Sequence, residues 1–300
     1  MSKRVYPFLN AKKSKPNSFD QYYNEPKVLG DEGMNAILDK GKTWGTELAN
    51  TLNSGGAVVF PHTFLSQCGY QIAASVHAIL DSGADQALVL GVLHPMTESL
   101  MHARSKELNE EDIANEPSFG IFGPDRDPSG CLSKEFSLDL FKILFDFEVK
   151  RRGIQPPKLI ERYPSLVNRD PAKLPGVREL QRISKDAVIV ATDDMCHHGI
   201  GYGVPPDQAY QIDNGYQFAK KSIEQGYELL KKDDYSGYFF HWMNPLAIGD
   251  PTDTTIVLKY LLGNASMDIL DLKLVDVSSL FENDISPSWV ATSLVKFNKL

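Results

Sequence analysis

Three hundred residues, 42% hydrophobic and 23% charged, make a chain that can bury a substantial core and is not disordered by composition. A net charge of −8 gives no broad basic footprint, which argues against nucleic acid and acidic membrane surfaces as partners. No run approaches the ~18 consecutive apolar residues of a spanning helix, the opening "MSKRVYPFLNAKKSKPN" lacks the apolar stretch of a secretory signal, and three cysteines without C-x-x-C spacing fit a reduced, cytoplasmic setting.

In chain order, residues 1–28 are polar with interleaved aromatics and read as an irregular N-terminal arm. "GMNAILDKGKTWGTELANTLNSGG" reads as a helix stopped by Gly55 and Gly56. The strand "AVVF" follows and runs into Pro61 and His62, and "SQCGYQIAASVHAILDSGA" has helical spacing. The strand "QALVLGVL" ends on His94. This alternation is a βαβ unit and implies parallel strands. From Arg104 to Ser133 the pattern lapses into a Gly-, Pro- and Asp-rich stretch, expected to be a lid or binding loop that shapes the pocket.

"KEFSLDLFKILFDFEVKRRG" reads as a helix, "PPKLIERYP" as a short strand, and "GVRELQRIS" as a helix feeding the strand "AVIVATDD". Residues 206–232 look helical, "TDTTIVLKYLLG" begins as a helix capped by Thr252 or Asp253, and the end looks like two strands. The expectation is one α/β domain over residues 29–300, a mostly parallel or mixed sheet flanked by helices. No heptad run settles whether the chain forms a homo-oligomer.

Three apolar runs therefore end on chemistry: "GAVVFPHTF" at His62, "ALVLGVLHPM" at His94, and "AVIVATDDMCHHG" at Asp193, Asp194, His197 and His198. Ligands in open α/β sheets bind outside the carboxyl ends of the strands, so residues far apart in sequence can converge there. Two imidazoles and one carboxylate around a metal with open positions suit non-haem Fe(II), and the same set also holds Zn or Cu. The competing reading of "DDMCHHG" is a strand-to-helix turn with Asp as cap, and His77, His102 and His241 read as structural or surface residues.

The segment "AVVFPHTFLSQCGYQIAA" resembles the "PHAGY…CG…AA" block of the Memo family, and "LVLGVLHP", "VATDDMCHHG", "KEFSLDLF" and "SWVATSLV" are similar to four more of its blocks, in the same order. The Memo fold is related to that of the class III extradiol ring-cleaving dioxygenases, which hold Fe(II) with two histidines and a glutamate. The resemblance implies His62 and His94 as metal ligands and His197 as acid/base with Asp194 orienting it. His198 and Phe136 would line the substrate site. The family's third ligand is a cysteine, which the matching "AIGDPTDTTIV" replaces with Gly249, so Asp250 becomes the carboxylate candidate. Phe136 stands where the family has histidine, and Phe64 and Leu65 where it has glycine and tyrosine. Arg126, in "GPDRDPSG", is a candidate clamp for a substrate carboxylate. The function expected is an Fe(II)-dependent dioxygenase acting with O2 on a small organic substrate. The alternatives are a non-catalytic adaptor with a vestigial site and a Zn-dependent hydrolase.

Overall fold

Four consecutive apolar residues, two of them β-branched, make β1 (Ala57–Phe60) a fully buried strand. The computed structural model, which describes residues 3–16, 18–250 and 252–300, places it near the middle of a ten-stranded mixed sheet. β1 lies parallel to β5 (Val188–Thr192), β5 parallel to β2 (Gln86–Leu90), and β2 parallel to β4 (Lys158–Ser165). The expected parallel pair β1 and β2 is thus real in direction, but β5 sits between its members. β3 (Gly120–Phe122) closes one edge antiparallel to β4. On the other side β1 pairs antiparallel with β10 (Ser288–Lys299), which also carries β9 (Ala265–Asp276) and β6 (Cys196–Gly199). The short strands β7 (Met243–Asn244) and β8 (Ala247–Ile248) complete that side.

Helices cover the sheet: α1 (Ser18–Gly41), α2 (Gly45–Asn53), α3 (Leu65–Ser82), α4 (Glu98–Leu108), α5 (Asp139–Arg152), α6 (Val177–Ile183), α7 (Ile212–Lys231), α8 (Tyr235–Trp242) and α9 (Thr254–Leu262). Side-chain alternation along β1 sorts the core into two layers: Ala57 and Val59 join one cluster, Val58 and Phe60 the other. Phe60 stacks on Phe141 of α5 at 5.0 Å and is fully buried, so its ring contributes about 1.5–3 kcal/mol by removal from water.

Several expectations change. Residues 18–28 are not an irregular arm but the first turns of α1, which bends at Gly30, where φ is +58°. The helix from Gly33 onward is likewise interrupted by a 3-10 turn at Lys42–Trp44 before α2. α5 starts only at Asp139, leaving "KEFS" as a loop. Arg104 to Leu108 belong to α4, and Gly120–Phe122 is a strand, so the long loop is partly regular. Asp253 stands at the N-cap of α9 without capping it: its carboxylate accepts the backbone N–H groups of Leu166 and Val167 and pairs with Arg104. "DDMCHHG" leads into β6, which pairs with β10, and not into a helix. Among the described residues no helix is long and apolar enough to cross a membrane.

Candidate metal centre

The parallel strands β1, β2 and β5 share a carboxyl edge, and the residues just past it are His62, His94 and Asp194. β6 brings His197 to the same place through its antiparallel pairing with β8, where His197 lies opposite Ile248. Asp250 follows β8 two residues later. Sheet register thus converges five residues spread over nearly two hundred positions.

One oxygen organises the cluster. Asp250 Oδ2 lies 3.5 Å from His62 Nε2, 3.6 Å from His197 Nε2 and 3.7 Å from His94 Nε2. It is buried and has no hydrogen-bond partner among the described residues. A buried carboxylate oxygen in that state is costly, and in a folded protein it calls for an explanation. Ligand atoms at ~2.0–2.2 Å from one ion stand ~3.0–3.6 Å apart, so these separations suit a shared cation far better than direct hydrogen bonds. His62, His94 and Asp250 form one group able to hold a metal ion, and Asp194, His197 and Asp250 a second that shares Asp250.

The outward ring nitrogens decide which face each imidazole shows to the centre. His62 Nδ1 is 3.1 Å from Thr192 Oγ1, whose own proton goes to the Phe60 carbonyl, so the imidazole donates to the hydroxyl. His94 Nδ1 donates to Glu135 at 3.0 Å, and His197 Nδ1 to the Ile248 carbonyl at 3.2 Å. In the neutral rings that a metal ion would bind, all three Nε2 atoms carry lone pairs toward Asp250, whereas in the metal-free chain the His94 Nε2 proton faces that oxygen. Outer partners of this kind fix tautomer and orientation at metal sites.

Charge follows the same layout. In the metal-free chain burial alone would favour neutral His94, but Glu135 and Asp250 outweigh it and raise its pKa to about 10. Burial works against the Glu135 carboxylate too, yet the His94 charge and the backbone N–H groups of His94 and Ser137 bring it down to about 2. Asp250 is buried, which pushes its pKa up, but His197, His62 and His94 together hold it well below the carboxylate range.

A cavity of about 200 Å³ opens onto this cluster. Its wall is aromatic: Phe136 stacks on His94 at 4.5 Å, Phe8 and Tyr202 meet His197 edge-on at 5.5 and 5.0 Å, and Tyr22, backed by Phe64 at 4.5 Å, faces the same space. Ala11, Lys12, Ser14 and Ser18 line it from the N-terminal segment. None of residues 104–133 does so among the described residues, so the expected lid lies elsewhere and the N-terminal segment takes its place.

Of the residues singled out in sequence, His62, His94, Asp194, His197, Asp250 and Phe136 all meet at the cavity. Arg126 does not: it pairs with Glu179 at 2.6 Å on the surface. His198 points the other way, as alternation along β6 requires. Its ring donates to the Leu246 carbonyl at 2.6 Å, accepts the Tyr210 N–H at 2.9 Å, and packs among Tyr210, Phe218 and Trp289. Asp194 does not orient His197; it accepts the His62 backbone N–H at 3.2 Å and the Thr63 hydroxyl, and so shapes the turn after β1. Glu135 and Thr192 were not singled out in sequence. Glu135 lies 41 residues from the histidine it orients, and only its place beside Phe136 in the "KEFS" block hinted at it. No known protein-family description matches the chain, and no curated protein matches it significantly.

Proposed function

We propose that the chain is a non-haem Fe(II)-dependent oxygenase of the class III extradiol dioxygenase type, a distant relative of the Memo family in which Asp250 replaces the cysteine ligand. The observation that carries this reading is Asp250 Oδ2, without a hydrogen bond among the described residues, facing the Nε2 atoms of His62 and His94, a two-histidine, one-carboxylate set. His62, His94 and Asp250 would hold the ion. Bound there, Fe(II) supplies redox capacity toward O2 and a template for a chelating substrate.

The chain's own residues supply the rest. His197 presents Nε2 to the cavity while its Nδ1 proton is engaged by Ile248, so it can take a proton from a substrate hydroxyl and later return it. Such a group is worth roughly 10²–10⁴ in rate. Phe8, Tyr22, Phe136, Tyr202 and Phe281 exclude water and offer faces for a flat apolar substrate body.

Anaerobic titration with Fe(II) and, separately, with Zn(II) tests the reading. One Fe(II) per chain, lost in His62→Ala and His94→Ala proteins that keep their circular dichroism, followed by O2 uptake with an oxidisable substrate, is the expected result. Tight Zn(II) with hydrolytic turnover and no O2 uptake would replace the oxygenase by a hydrolase. The absence of any tight metal would leave a non-catalytic binding protein.

A further inference from the structure

We propose that the chain has a second binding site, for an organic anion carrying two or more phosphate groups, at the edge of the sheet opposite the metal centre. A cleft of about 1010 Å³ lies between α6, the C-terminal end of α9, the end of β10 and the turn at Gly55. Arg178, Arg182, Lys185 and Lys299 line it, and among the described residues no acidic side chain does.

Four features set this cleft apart. First, none of these cations takes part in an ion pair of the described residues, whereas Arg126 and Arg162 nearby pair with Glu179 of the same helix. Second, Arg178 and Arg182 stand four residues apart on α6, with Lys185 in the turn that follows, so like charges stack along one face. That arrangement opposes helix formation unless a counter-charge relieves it. Third, the concentration occurs in a chain of net charge −8, where a random surface would supply carboxylates. Fourth, the floor is apolar: Ile189 on β5 with Leu261 and Leu262 of α9.

The ligand's chemistry follows from these features. Two guanidinium forks favour phosphate oxygens in bidentate geometry, and two lysines add point charges, which is more cation than a single phosphate can use. The Gln181 amide and Ser184 hydroxyl, also in the lining, add neutral hydrogen-bonding capacity. The apolar floor suits an organic body attached to those phosphates. Ile189 lies near the start of β5 and Asp194 just beyond its end, roughly 16 Å along the strand at about 3.3 Å per residue, so the two sites do not share ligand atoms. Four cations on one short helix, the turn after it and one strand end are too few and too local for a nucleic-acid surface.

Isothermal titration of the metal-free full-length chain with ADP and with inorganic pyrophosphate, without divalent cations, tests the proposal. ADP should bind once per chain, more weakly as salt rises, and at least tenfold more weakly in both Arg178→Ala/Arg182→Ala and Lys299→Ala proteins. His62→Ala should leave the affinity unchanged, and pyrophosphate should bind more weakly than ADP. The proposal is overturned if ADP fails to bind at millimolar concentration, if the arginine and lysine substitutions leave binding intact, or if His62→Ala abolishes it. Pyrophosphate binding as tightly as ADP would remove the organic body from the assignment.

Discussion

Glu135 holds His94 twice: one carboxylate oxygen lies 3.0 Å from the ring Nδ1, and the other accepts the His94 backbone N–H at 2.7 Å. The first oxygen also accepts the N–H groups of Phe136 and Ser137, at 2.8 and 2.7 Å. A single buried side chain therefore fixes both the rotation of a candidate ligand and the loop that carries its aromatic neighbour.

The pH dependence of the metal-free chain follows from this pair. His94 is raised from 6.5 to about 10, so its contribution to stability is complete below 6.5 and is lost as pH rises through about 10. Glu135 is lowered from 4.5 to about 2, so its contribution is complete above 4.5 and is lost as pH falls through about 2. The pair is fully stabilising between about pH 4.5 and 6.5 and weakens on both sides. Thermal melts from pH 3 to 9 should show that Glu135→Gln lowers the melting temperature most inside that window. With metal present the same substitution should weaken binding by roughly 10–100-fold, the range for partners of ligating histidines. An equal loss of stability at every pH would mean that Glu135 acts by packing alone.

Asp250→Asn keeps shape and removes charge. Because His197, His62 and His94 surround Oδ2 and hold the carboxylate charged, the exchange also costs the metal-free chain stability at pH above the usual carboxylate range. Metal affinity should fall by more than the roughly 100-fold typical of an outer partner. Equilibrium dialysis against Fe(II) measures this, and retained affinity would show that the carboxylate is not a ligand.

His197 and His198 are neighbours with opposite fates, which separates site from scaffold. His198 is fully buried, and His198→Ala leaves a cavity and an unpaired Tyr210 N–H, at a cost of about 2–4 kcal/mol. Metal affinity should not change. His197→Asn should do the reverse, with near-normal stability in urea melts and loss of turnover. Arg126→Ala should change neither, because an exposed ion pair such as that with Glu179 contributes about 0–1 kcal/mol.

The contrast between these two histidines also marks how far the sequence could be read. Apolar runs ending on His62, His94 and Asp194 located the site because parallel strands present their carboxyl ends together. That rule says nothing about residues arriving from antiparallel strands or helices. Within "CHHG", strand alternation alone would have sent one imidazole inward and the other outward, but placing the whole "DDMCHHG" stretch past a strand end hid it. Glu135 reaches His94, and the wall residues Phe8 and Tyr22 reach the cavity, through tertiary packing, with no local spacing to announce them. Arg126 looked like a clamp because an arginine in a Gly- and Pro-rich loop suggests a free cation, yet Glu179 of α6 neutralises it.

The N-terminal segment closes the cavity, and its anchoring predicts how it opens. Backbone bonds tie it down: Lys12 N–H to the Gly201 carbonyl at 2.7 Å, Lys15 N–H to the Leu280 carbonyl at 2.8 Å, and Glu282 N–H to the Lys13 carbonyl at 3.0 Å. Each contributes about 0.5–1.5 kcal/mol. The ion pairs Lys13–Glu282 and Lys15–Asp284 are exposed and add little. Tyr6 is buried, and Phe8 packs edge-on against His197. Charge reversal at Lys13 and Lys15 should therefore leave metal release unchanged. Deleting residues 1–16 should speed metal release to a chelator and lower the melting temperature while the sheet persists, because the described residues of the segment supply no strand to the ten-stranded sheet. Stopped-flow chelation of the loaded chain distinguishes the two variants, and a deletion that leaves release unchanged would show that the segment does not gate the site.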